Sequence, residues 1–184
     1  MFTNTYQDVD DNKIPTGELK QFPDVVPGQG FTLGRDEPAF DHCLVMNTEA
    51  AQIPLDTREG PMTKLCSFYH PITKIHFEIS STEPAFQFYT GQFVDVKASE
   101  HTPAVGPRSG FCVEASRYIN AVNMDNCRGM VVLKKGQVWV SVSKDRGSII
   151  EGSNVSFTLH ACADLNATCR EAEHLIEPGL SDER

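Results

Sequence analysis

From Ile75 to Ser80 apolar and polar side chains alternate without a break, with Ile75, Phe77 and Ile79 set against His76, Glu78 and Ser80. A period of two is the signature of an extended strand with one face on a core and the other in water. The tetrapeptide His70-Pro71-Ile72-Thr73 separates this run from Lys64 to Tyr69, so the two runs predict a β-hairpin. The pattern returns further on. Val131-Val132-Leu133, then Lys134-Lys135-Gly136, then Gln137 to Ser143 predict a second hairpin, with Val138, Val140 and Val142 opposed to Gln137, Trp139 and Ser141. Phe86 to Val94 and Gly110 to Tyr118 add two more strand candidates. Half-buried strands of this kind must cover their apolar faces with another layer. The expected fold class is therefore all-β, built of antiparallel sheet.

Other stretches punctuate the strands. Pro15 to Pro38 is rich in proline and glycine and predicts loop with short edge strands. After Ser143 the pattern weakens: Lys144 to Asn154 is polar and Val155 to His160 reads as one more strand. Asp164 to Glu177 has the spacing of a short C-terminal helix through Leu165, Cys169 and Ala172, stopped by Pro178-Gly179. The expected core comprises Phe77, Phe86, Phe88, Phe111, Val113, Val138 and Val140.

Charge and cysteine use narrow the classes of function. A formal net charge of −9 over 184 residues, with no basic run longer than Lys134-Lys135, argues against a nucleic-acid partner. The apolar runs are too short to span a bilayer. Asp8 and Asp10 stand where a secretory leader needs a positive start and an apolar centre, so a cytoplasmic protein is expected. The six cysteines show no CxxC pair and no regular spacing. They read as buried or free thiols, with a disulfide framework as the alternative. The six histidines form no metal-ligand spacing, so neither a metal nor a cofactor is expected.

Five short blocks carry the argument further. They are Tyr6-Gln7-Asp8-Val9-Asp10 with Ile14-Pro15-Thr16-Gly17-Glu18, then Phe40-Asp41-His42-Cys43, then Phe86-Gln87-Phe88-Tyr89-Thr90-Gly91-Gln92-Phe93, then Arg108-Ser109-Gly110-Phe111-Cys112-Val113-Glu114, and Ala121-Val122-Asn123. In this order, over residues 3 to about 143, they resemble the C-terminal half of the aldose 1-epimerase (galactose mutarotase) family. The resemblance implies part of that family's large β-sandwich over residues 1–143, followed by a divergent tail over 144–184. It implies an isomerase of carbohydrate metabolism that interconverts the α and β anomers of hexoses such as galactose or glucose.

By the same resemblance Glu114 is the catalytic base. Anomer exchange needs a base for the proton of the C1 hydroxyl, and a carboxylate suits that role when desolvation raises its pKa. An ordinary solvated glutamate is the plainer reading of the same residue. Asp41 and Gln87 map onto residues that hold sugar hydroxyls, which both donate and accept hydrogen bonds. Their plainer readings are a turn or cap aspartate and a surface amide. Tyr89 shares a strand face with Gln87, so its ring could flank the sugar. His42, beside Asp41, reads as an oriented neighbour of the sugar contacts, with direct contact to the sugar as the alternative. The family's acid histidines and an arginine belong to blocks without a match in this sequence, which implies a catalytically impaired, carbohydrate-binding remnant as the alternative function. The expected partner is a small-molecule sugar, with open strand edges inviting self-association, and the residues from 145 onward are expected to be dispensable for sugar chemistry.

Overall fold

Nine strands and three single 3-10 turns make up the described part of the chain. The computed structural model describes residues 1–149 and the strand at 157–161. Every pairing between the described strands is antiparallel. The chain divides into two compact units, residues 1–53 with 84–132, and residues 54–83 with 133–184.

The first unit is a five-stranded sheet. Its strands are β1 (Thr5–Val9), β2 (Pro15–Gln21), β3 (Asp41–Val45), β6 (Ala85–Tyr89) and β7 (Cys112–Ser116), in the order β2-β1-β3-β6-β7. The edge strand β2 opens on Pro15, whose missing N–H is tolerable only at such a place. Directly opposed residues in an antiparallel pair share a face. The register Asp41↔Tyr89↔Cys112 and Cys43↔Gln87↔Glu114 therefore puts six side chains on one side of the sheet. His42↔Phe88↔Val113 and Leu44↔Phe86↔Ala115 lie on the other.

The two faces are covered differently. On the first, Cys43, Val45 and Ala85 are buried with Ala50, Ile53, Tyr118, Ala121, Cys127 and Met130, which come from the 3-10 turns Ala50–Gln52, Ala121–Asn123 and Arg128–Met130 and their flanks. Gln7 ties this cover to β1, because its Oε1 accepts the Ile119 N–H at 2.7 Å. The other face carries a chain of aromatic rings. Tyr6 stacks on Phe22 at 4.2 Å between centroids, Phe22 meets Phe40 at 5.2 Å, and Phe40 meets Phe88 at 5.1 Å.

The second unit is a four-stranded sheet of β4 (Thr63–His70), β5 (Ile75–Ser81), β8 (Ser143–Ile149) and β9 (Phe157–Ala161), in the order β4-β5-β8-β9. The hairpin of β4 and β5 agrees with its expected position, and His70 Nδ1 and Thr73 Oγ1 close its turn at 2.7 Å. Leu65, Cys66 and Ile79 are buried. Burial pushes the Cys66 thiol up to about 12, so it stays protonated.

Three expectations need correction. The second hairpin does not form. The N–H groups of Val131 and Val132 both donate to Arg128 O, at 3.2 and 3.0 Å, and so complete a helical turn rather than a ladder. Val140 makes one isolated parallel bridge to Asp56 instead. Next, the polar stretch after Ser143 opens as β8, an inner strand paired with β5 from Ser81↔Ser143 to Ile75↔Ile149, so the sheet runs on past residue 143. Finally, Phe111 and Val138 are exposed, and Phe77 and Val113 are half-buried, whereas Phe86, Phe88 and Val140 are buried as expected. The strand expected at 155–160 appears as β9, while the helix expected at 164–177 lies outside the described residues.

Asp145 stands in β8 opposite Ile79, and partial burial raises its carboxyl above the usual carboxylate range. Folding therefore favours the protonated acid, and this group's contribution is fully favourable only below the unfolded carboxylate pKa. That contribution is lost as pH rises through the folded value. Asp145→Asn is expected to raise the thermal midpoint at pH 7 by roughly 1–2 °C, the scale left after solvent screening, and to leave it unchanged near the acid end. Paired melting curves at the two pH values check this.

Candidate functional site

The open end of the covered face gathers the chemistry. Cys43, Val45 and Ala85 are roofed over, whereas Asp41, Cys112 and Glu114 at the other end are exposed and Gln87 and Tyr89 are half-buried. β6 supplies the centre because it is hydrogen-bonded on both sides, and that fixes Gln87 between Cys43 and Glu114. Gln87 Nε2 donates to Asp41 Oδ1 at 2.9 Å. This bond fixes which way the amide faces, leaving Gln87 Oε1 and Asp41 Oδ2 for other partners. All three residues singled out from the sequence thus share one face of one sheet, spread over three adjacent strands.

Burial of the base, the condition set out above, is not met, because Glu114 is exposed. Tyr89 closes one side of the patch. Its hydroxyl accepts the Phe93 N–H at 2.7 Å, and its ring lies nearly parallel to that of Phe93, 16° apart with centroids at 6.4 Å. His42 stands apart from this face. It points to the opposite face, edge-on to Tyr6 at 5.1 Å and Phe22 at 5.0 Å, and burial lowers its pKa, so it is a neutral ring in the aromatic layer. It still touches the Asp41 backbone, whose N–H donates to His42 Nδ1 at 3.1 Å. Alternation along β3 made that placement legible: neighbours in a strand cannot share a face.

Two thiols flank these residues. Cys112 lies in register with Asp41 across Tyr89, and its thiol is pushed up by desolvation first, then by the Glu114 and Asp41 carboxylates. Cys43, directly opposite Gln87 on β3, is buried, which pushes its thiol up to about 11. Glu114→Gln removes one of the two charges that hold Cys112 protonated, so its alkylation by iodoacetamide at pH 8 is expected to accelerate severalfold. Peptide mass spectrometry resolves Cys112 from the other thiols, and an unchanged rate would place Glu114 too far away to matter.

The sequence profile described as Aldose 1-epimerase matches residues 1–144. The chain belongs to the aldose 1-epimerase family. Among curated proteins of this family it is 34% identical over 143 residues to the bifunctional protein gal10 of Schizosaccharomyces pombe, covering 77% of this chain and 19% of that one. It is 31% identical over 131 residues to the galactose mutarotase of Sus scrofa, covering 70% of this chain and 37% of that one. A solved structure of a GalM/aldose epimerase homologue from C. elegans superposes with a TM-score of 0.57 at 17% identity, over 90% of this chain and 45% of that one. The aldose epimerase fold is thereby shown for the described β-sheets, while the chain spans only a fraction of these curated relatives' length. Among the described residues no helix is long and apolar enough to cross a membrane.

Proposed function

We propose that this chain interconverts the α and β anomers of a hexose such as galactose or glucose, with Glu114 as the base and Asp41 and Gln87 as sugar-hydroxyl contacts. One observation supports the reading above the others: these three side chains share the open end of a single sheet face, with Gln87 bonded to Asp41. The chemistry is acid–base throughout. Glu114 takes the proton of the C1 hydroxyl, the bond between C1 and the ring oxygen breaks, and the ring oxygen takes a proton from solvent water at this open end of the face. The open aldehyde rotates about C1–C2 and recloses on its other face, with each proton returned. No electron transfer is involved, and the partner is the sugar alone, met inside the cell.

A second reading, sugar binding without turnover, is favoured by the exposure of Glu114. Polarimetry of freshly dissolved α-galactose with the purified chain decides between the two. Decay faster than buffer supports the epimerase. Buffer-rate decay, together with galactose heat in titration calorimetry, supports the binder, and silence in both experiments removes the sugar site.

A further inference from the structure

Arg108 has a positive φ of 65°, a conformation that side chains other than glycine rarely adopt. Its contacts give a reason for holding it there. The backbone N–H donates to Gly91 O at 2.8 Å. The guanidinium donates through Nε to Arg35 O at 3.1 Å, through Nη2 to Gly34 O at 2.9 Å, and through Nη1 to both Pro38 O at 3.0 Å and Thr90 Oγ1 at 2.7 Å. One planar fork thus satisfies three carbonyls of the loop that leads into β3 and one hydroxyl at the exit of β6.

Thr90 passes that hold on to the site. Its buried hydroxyl also accepts the Phe40 N–H at 2.9 Å, and its own N–H donates to Phe40 O at 3.0 Å. Gln92 Nε2 reaches the same Phe40 carbonyl at 3.2 Å. Phe40 is the residue before Asp41, Thr90 follows Tyr89, and Arg108 lies four residues before Cys112. The turns themselves abut, since a Cβ on Gly91 would stand 2.5 Å from Gly110 O. The open ends of β3, β6 and β7 meet at this one side chain.

We infer that Arg108 is a positioning residue that holds Asp41 at sugar-contact distance from Gln87 and Glu114 by locking the ends of their three strands together. The inference rests on the sugar-site reading given above, yet the lock can be measured without sugar. Lysine keeps the charge but reaches as a point donor, so it cannot replace the fork.

The test compares Arg108→Ala, Arg108→Lys and Thr90→Val in the full chain. Amide exchange at Phe40 and Thr90 is followed beside that at Leu65 and Ile79, and galactose affinity is titrated in parallel. The expected result is faster exchange at Phe40 and Thr90 in all three variants, with Leu65 and Ile79 still protected. Galactose affinity is expected to fall about tenfold in Arg108→Ala, the scale of one well-placed hydrogen bond. Wild-type exchange at Phe40 and Thr90 in Arg108→Ala overturns the lock, as does unchanged affinity in the folded variant. Should Arg108→Ala unfold, Arg108→Lys and Thr90→Val carry the same two readouts. A wild-type chain that binds no galactose counts against the sugar-site reading, while exchange at Phe40 and Thr90 still decides whether the lock exists.

Discussion

Phe88→Ala is expected to destabilise the protein by about 3–5 kcal/mol, the cost of removing a fully buried aromatic ring that the surroundings cannot refill. Phe88 is 1% exposed at the centre of β6, with His42 and Val113 opposite it on the two flanking strands. Its ring lies 5.1 Å from Phe40 and 6.1 Å from Phe111, so truncation leaves both rings without their common neighbour. Domains of this kind are stable by only about 5–15 kcal/mol, which makes such a loss a large share of the whole. Urea denaturation of wild type, Phe88→Leu and Phe88→Ala measures it. A Phe88→Ala penalty below about 1 kcal/mol would mean that this ring is not a core element.

Glu114→Gln is expected to reduce anomer exchange by about 10²–10⁴-fold, the usual contribution of a positioned general base, while galactose binding stays within a factor of about three. The substitution keeps the size of the side chain and its capacity to accept a hydrogen bond from the C1 hydroxyl. It removes only the ability to take the proton. Because Glu114 is exposed at the end of β7, the change places no uncompensated amide in the core. Asp41→Asn makes the contrast: as a hydroxyl contact it should raise the apparent KM and leave kcat within tenfold. Equal losses of kcat in both variants would merge the two roles and refute the assignment of Glu114 as the sole base.

What could be read from the amino-acid order depended on whether local chemistry and tertiary context agreed. The hairpin of β4 and β5 was legible because its turn and its alternation point the same way. Asp41, Gln87 and Glu114 were named as a set through the resemblance, and the strand register brings them to one sheet face. The apparent hairpin at residues 131–143 failed for a physical reason. Its turn does exist, with Gln137 N–H bonded to Lys134 O at 3.0 Å, but the valines of its first arm give their N–H groups to a helical turn and Val131 packs over the buried cluster. β8 was missed for the opposite reason. Its sequence Ser-Lys-Asp-Arg-Gly-Ser-Ile shows almost no apolar face, and its pairing with β5 and β9 makes it a strand. The exposure of Glu114 was likewise hidden, because a strand's period says which residues share a face but not how far that face is roofed.

The interleaving of the two units along the chain sets a kinetic consequence. Ser81 bonds to Ser143 across 62 residues, and Gln7 bonds to Ile119 across 112. Contacts of such range demand loop closure before they return any stabilisation, and that entropy grows with the logarithm of the span. A chain dominated by them belongs with the slow folders, on the millisecond-to-second scale. On a ribosome adding about 5–20 residues per second, Gln7 waits several seconds for its partner to emerge. Through that interval β1 has its strand neighbours β2 and β3 but lacks the cover that Ile119 and the turns around it bring to this face.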